Sequence, residues 1–160
     1  MSKRSLILFI LILSLLGMPL TIYLTYLHFK PELSTFCNFN EKFNCDIVNK
    51  SSYAEILGIP VAIFGFIGYL LFFILSFEKI IAMKKKGNLV KEKKITKYIL
   101  ILSIVSFIFS LYLTFLEAFV IFAWCIFCLI SATFITIILI LSIILYKKDG
   151  KIEKNIKLNK

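Results

Sequence analysis

Four stretches of this 160-residue chain hold no Asp, Glu, Lys or Arg at all: residues 5–29, 56–77, 98–116 and 118–146. Acids are scarce throughout, nine against 19 Lys and Arg, and the formal net charge is +10. The missing charge is replaced by apolar side chains. Sixty per cent of residues are hydrophobic, 17 are Phe, and the mean hydropathy is +0.94. Soluble domains use about 45–50% apolar residues, so a water-soluble globule is excluded, and so is disorder. Conduction of ions is disfavoured too, because such pathways need charged groups inside the membrane. Internal repeats, low-complexity linkers and a second domain are absent from the sequence.

Each uncharged stretch suffices for one membrane crossing, since a hydrocarbon core of about 30 Å takes roughly 20 helical residues. Barrel strands alternate in polarity and these runs do not. The expected fold is therefore an all-α integral membrane protein, a single four-transmembrane-helix bundle with helices at about 5–27, 58–77, 98–117 and 123–146. The last uncharged stretch, 29 residues long, is read as a turn followed by a crossing. A cleaved signal peptide is the competing reading of the first helix; its apolar run is too long, and no small-x-small cleavage site follows.

The intervening segments sort by sign. The N-terminus carries Lys3 and Arg4 (+2), residues 78–97 carry eight Lys and two Glu (+6), and residues 147–160 carry six Lys and two acids (+4). Residues 28–58, with three Lys and four acids, come to −1. Short Lys-rich segments stay on the cytoplasmic side, which predicts N-in/C-in topology with residues 28–58 and the turn near 119–124 facing outward. The positive balance is then an orientation signal and a contact for anionic membrane lipid, not a nucleic-acid footprint. Nothing in the sequence sets an oligomeric state.

All four cysteines fall on the outward side of that topology: Cys37 and Cys45 in the outer loop, Cys125 and Cys128 where the fourth helix enters the membrane after Trp124. Trp suits the interfacial belt, and extracytoplasmic compartments are where disulfides persist. Residues three apart on a helix share a face, so Cys125 and Cys128 can pair. The helix N-terminus favours the thiolate of the first, while the second lies about 4.5 Å deeper along the axis. A disulfide inside one helical turn closes almost no loop and is a poor staple, which makes this pair a redox couple. Structural disulfides and a four-Cys zinc site are the weaker alternatives; an oxidising compartment and the membrane boundary argue against metal.

At these residues the sequence resembles the vitamin K epoxide reductase family of membrane thiol oxidoreductases. The resemblance is carried by Cys37-x7-Cys45, by the run from Cys45-Asp46-Ile47 to Ser51, by Gly58-Ile59-Pro60-Val61 through Phe64-Gly65 to Gly68-Tyr69, and by Trp124-Cys125-Ile126-Phe127-Cys128. It implies an enzyme in a prokaryotic plasma membrane that oxidises thiols and reduces a quinone such as menaquinone or ubiquinone. Cys37 and Cys45 would be the shuttle pair, taking electrons from a separate thioredoxin-fold (DsbA-like) protein that installs disulfides in exported proteins. Cys125 and Cys128 would be the active-site pair, with Cys128 nearest the ring. Ser51 matches a hydroxyl near the quinone oxygen, and Phe64 is a candidate wall of the quinone site. Val61 and Ala132 stand where the animal enzymes carry an Asn and a Tyr against the vitamin K ring, so the resemblance reaches quinone reduction more surely than epoxide reduction, which stays as the alternative. DsbB-type oxidases also have four helices and two cysteine pairs, but with the two spacings in the opposite order.

Among the other residues, Ser52-Tyr53-Ala54-Glu55 fits a capping box and predicts a short amphipathic helix on the membrane, with Tyr53, Ile56 and Leu57 facing lipid or quinone. His28 reads as an interfacial group, with haem ligand or proton acceptor as the lesser reading; Glu117, the only acid in a long apolar surround, reads as an interfacial anchor, with proton shuttle as the lesser reading; Gly65 and Gly68 read as points of close helix packing. Phe122 and Phe127 are further candidates for the quinone pocket.

Overall fold

The computed structural model describes residues 2–30, 37–38, 42–84 and 89–158. Helix α1 (Lys3–Phe29) opens on Ser2, whose hydroxyl accepts the Ser5 amide at 3.1 Å. A loop follows with the short helix α2 (Cys45–Asn49), a single 3-10 turn (Ser52–Ala54) and a hairpin of β1 (Glu55–Ile56) and β2 (Ile59–Pro60). Then come α3 (Val61–Lys84), α4 (Leu89–Leu116), a π-helical turn (Glu117–Ile121) and α5 (Ile126–Leu158). Four helical segments are long and apolar enough to cross a membrane: Lys3–Phe29, Val61–Lys84, Lys91–Ile121 and Ile126–Lys151.

The long helices close a ring in which α1 packs on α3 and α5, and α4 on α5 and α3. Their inward faces supply one core, built from Leu6, Ile7, Ile10, Tyr69, Phe72, Ile95, Ile99, Ile138 and Leu145. Apolar residues also cover the outside, among them Phe9, Ile12, Ile67, Ile108 and Ile140, as helices immersed in lipid require. Two glycines bring α1 and α3 together. A Cβ added at Gly17 would lie 2.4 Å from the Tyr69 ring, and one at Gly65 would lie 3.1 Å from Thr21.

Away from the cysteines, the bundle is closed by buried charge. Lys79 on α3 is fully buried and donates to Asp149 of α5 at 2.8 Å and to the Glu92 carbonyl of α4 at 2.9 Å. Thr96 donates to the same Asp149 oxygen at 2.6 Å, and Lys3 of α1 forms an ion pair with the other. All four long helices therefore meet at this cluster. Here the helices outrun the expected limits at residues 77, 98 and 146: charge ends the apolar crossing, but backbone hydrogen bonding continues through Lys84, from Leu89 and to Leu158. Lys3 and Lys79, counted above toward orientation, are tied to Asp149 rather than left to solvent.

At the opposite end, the expected helix from Ser52 is cut to the single 3-10 turn of Ser52–Ala54 and gives way to a hairpin. Glu55 pairs with Pro60 and Ile56 with Ile59, and Leu57 and Gly58 turn the chain at φ 55° and 78°. Two successive positive-φ residues are the geometry of a two-residue hairpin, and Gly58 accepts it freely. The loop's short helix lies upstream instead, at Cys45–Asn49. Tyr53, Ile56 and Leu57 nevertheless stay exposed, Leu57 at 98%. For the same reason α3 begins at Val61 rather than 58, once the hairpin has ended on Pro60.

Candidate functional site

Backbone pairing places the loop cysteines. The Asn44 amide donates to the Trp124 carbonyl at 3.1 Å and the Trp124 amide to the Lys42 carbonyl at 2.7 Å, which fastens residues 42–44 along the segment just before Cys125. Asn44 then caps α2, its side-chain oxygen accepting the amides of Asp46 (3.0 Å) and Ile47 (3.1 Å). Asn38 pairs with Asn44 across a bridge and donates to the Asp46 carboxylate at 2.5 Å. On the far side of α2, the Asn49 amide group donates to the Leu24 carbonyl of α1 at 2.6 Å. His28 is not simply interfacial. Its Nδ1 lies 2.6 Å from the Asn49 carbonyl and its Nε2 3.0 Å from the Glu55 carboxylate, so it ties both α2 and the hairpin to α1.

Cys37 and Cys45, brought together by this scaffold, form a disulfide, and both are buried. Cys125, also buried, has its sulfur grouped with theirs so that all three lie within 4.8 Å of one another. It immediately precedes α5, and its carbonyl accepts the Leu129 amide, the first bond of that helix. Its sulfur accepts the Cys128 amide at 3.3 Å in the manner of an N-cap side chain. Cys125 and Cys128 are free thiols. The order in space is thus loop disulfide, Cys125, Cys128. The three gathered sulfurs would suit a soft metal only as thiolates, and two of them are bonded to each other.

Beyond Cys128 lies a cavity of about 160 Å³ with mostly apolar walls. Ser51, Tyr53 and Ala54 border it from the loop; Val61, Phe64, Gly65, Gly68 and Tyr69 from α3; Phe109, Leu113 and Glu117 from the third crossing; and Cys128, Ser131 and Ile135 from α5. Three of the four residues proposed for quinone contact, Ser51, Val61 and Phe64, line it. Ala132 is not among its lining residues. The Ser51 hydroxyl donates to the Val48 carbonyl at 2.8 Å while bordering the cavity. Phe122 is 74% exposed, and Phe127 packs edge-on to Tyr23 at 5.2 Å, so neither forms a wall. Gly65 fits the packing role read for it. Gly68 has open space where a Cβ would sit and presents bare backbone to the cavity.

Two side chains make contacts that the sequence does not show. Tyr69 is buried in the core, and its hydroxyl meets the Ser131 hydroxyl at 2.9 Å on the cavity wall; nothing in a run of apolar residues singles it out. Glu117 is the other. It is 3% exposed rather than interfacial, its carboxylate accepts the Cys125 amide at 3.1 Å, and it lines the cavity together with Cys128. The signal was present, as the lone acid between two long uncharged stretches, eight residues before Cys125. The bend that points it inward was not: α4 passes into a π turn over Glu117–Ile121, and Phe122 reverses the chain at φ 54°. Such turns are found disproportionately at functional sites.

Compared with known proteins, the chain matches the model of the vitamin K epoxide reductase family over residues 8–143, which takes in all four cysteines and the whole cavity.

Proposed function

Since the chain belongs to the vitamin K epoxide reductase family, an integral membrane thiol oxidoreductase that works with quinones, we propose that it reoxidises a separate thioredoxin-fold protein and passes the electrons through its two cysteine pairs to a quinone in the cavity beside Cys128. The observation that carries this reading is the spatial order of the sulfurs. Cys125 lies within exchange reach of the loop disulfide on one side and adjoins Cys128 on the other, and Cys128 borders the apolar cavity.

Thiol–disulfide exchange runs through thiolate attack and a mixed disulfide. A dithiol partner reduces Cys37–Cys45. The loop dithiol then reduces a Cys125–Cys128 disulfide and becomes oxidised again. The Cys125–Cys128 dithiol finally gives two electrons and two protons to the quinone and closes its own disulfide. The chain contributes orientation and a dry, shaped site; the two-electron chemistry is the quinone's. On the charge pattern of the sequence, the cysteine end faces away from the cytoplasm, where exported proteins receive their disulfides.

Thiol trapping in isolated membranes tests the proposal. A soluble quinone should drive Cys125 and Cys128 to the disulfide within one turnover, and dithiothreitol should reverse it. Two pairs that keep the same state under both treatments would instead be structural staples.

A further inference from the structure

We propose that Glu117 is a catalytic residue, the proton carrier between the Cys125–Cys128 couple and the molecule reduced in the cavity. This inference rests on the reading of the inner pair as a quinone-reducing dithiol and assigns that reaction a group that the cysteines lack.

The argument begins with burial. A carboxylate removed from water is costly unless it is paired or hydrogen-bonded. Glu117 is 3% exposed at the end of a long apolar helix, and no cation pairs with it among the described residues. Its carboxylate instead accepts the amide of Cys125, one of the two reactive positions, at 3.1 Å. It also lines the same cavity as Cys128. A purely structural cap of the Cys125 amide would need only an uncharged acceptor, yet the chain adopts a π turn and a left-handed Phe122 to seat an acid there. One group thus sits against the reactive pair and borders the space in which a proton must be delivered.

The stoichiometry requires such a group. Two thiols and one quinone give one disulfide and one hydroquinone: two S–H bonds break, one S–S bond and two O–H bonds form, and two electrons pass from sulfur to the ring. The largely apolar cavity offers few proton acceptors. Glu117 takes the Cys128 proton as the thiolate forms and returns it to a quinone oxygen as charge builds there, and the Cys125 proton completes the pair. Positioned general acid–base groups contribute about 10²–10⁴ in rate.

Glu117→Gln tests this, because the amide oxygen still accepts the Cys125 amide while the titratable proton is gone. In single-turnover thiol trapping with a soluble quinone, the Gln variant should reoxidise Cys125–Cys128 roughly 10²-fold or more slowly. Its inner pair should accumulate reduced at steady state, with reduction of Cys37–Cys45 by dithiothreitol unchanged. Glu117→Asp should recover at least about tenfold of the loss. Without any quinone, alkylation of Cys128 in the reduced protein should quicken near neutral pH, and its pH profile should shift, since a carboxylate beside a thiol disfavours the thiolate that is the nucleophile. A Gln variant that reoxidises within about threefold of the parent, well short of the general acid–base range, with an unmoved alkylation profile, overturns the proposal while leaving the quinone reading intact. A parent protein showing no quinone-dependent oxidation removes that reading itself. If the Gln variant does not accumulate in membranes, the Asp variant decides through its alkylation profile, and an unshifted one overturns the proposal.

Discussion

Replacing Asp149 with alanine takes away the carboxylate that Lys79 and Lys3 both contact where the four long helices converge. Before the change, Lys79, Lys3, Glu92 and Asp149 balance to zero net charge. Afterwards a fully buried ammonium keeps only the Glu92 carbonyl at 2.9 Å and its carboxylate at 3.5 Å, and the Thr96 hydroxyl loses its 2.6 Å acceptor. Breaking a buried pair from one side costs about 3–5 kcal/mol, because the remaining charge stays desolvated. Lys79→Met together with Asp149→Ala should cost less than Asp149→Ala alone, since the fully buried ammonium goes with its partner and the Lys3 and Glu92 side chains left behind are only partly buried; coupling of about 1–3 kcal/mol is expected for groups in direct contact. Reversible unfolding in mixed detergent micelles, run on both single variants and the double, measures this. Lys79 lies 18 residues along α3 from Val61, about 27 Å of helix, so quinone reduction per folded molecule should not change. A single Asp149→Ala cost below about 1 kcal/mol would place the cluster in the class of weak exposed pairs and refute the reasoning.

Three further outcomes follow from the geometry of the cysteine end. Gly17→Ala puts a methyl 2.4 Å from the Tyr69 ring; overpacking of about 1–3 kcal/mol should appear as a lower melting temperature, and relieving it with Tyr69→Leu should restore stability at the cost of the Ser131 contact. His28→Ala frees the Asn49 carbonyl and the Glu55 carboxylate together; hydrogen exchange should rise across residues 45–60 while the lysine end stays protected, and protection unchanged in the loop would mean the tether is redundant. Cys128→Ser should block quinone-dependent oxidation yet still allow a mixed disulfide between Cys125 and a loop cysteine, visible on a non-reducing gel. Retention of quinone reduction by that variant would break the order of transfer.

Much of the bundle was legible because one physical variable, charge, is absent from the crossings and present between them. What misled was treating charge as the end of the helix. Lys79, Glu92 and Asp149 all lie on helical turns beyond the uncharged runs, where they are satisfied by one another rather than by water. The loop failed for a different reason. Ser52 and Glu55 do match a capping box, but the pairing of Ile56 with Ile59 wins, and Leu57 takes a positive φ that local propensity argues against. The four cysteines could be grouped from topology. Their order in space could not, because it depends on two backbone hydrogen bonds between residues 42–44 and Trp124, and backbone groups are the same for every side chain. Tyr69 was hidden in the same way, as one aromatic among many until Gly17 and Ser131 are seen on either side of it.

Those backbone bonds have a chemical consequence. The proposed exchange between the pairs needs an attacking sulfur to approach another along a defined line, so the loop must be held close without being fused to α5. The chain does this by fixing the flanks and sparing the sulfurs. Lys42 and Asn44 are locked to Trp124, and Asn49 is locked to Leu24 and His28, while Cys45 stands between these anchors at the start of a five-residue helix. On the other side Cys125 is the cap of α5, so its sulfur can leave the Cys128 amide for a loop sulfur without unwinding a turn. A hydrogen bond from a backbone amide to sulfur is weak compared with one to oxygen, which suits a contact that must be broken in each cycle. Cys128, one turn into the helix, does not share that freedom, and its position on the cavity that Glu117 also lines is correspondingly fixed. In the proposed relay the capping sulfur thus faces the loop and the sulfur one turn further in faces the cavity, an order set by where α5 begins.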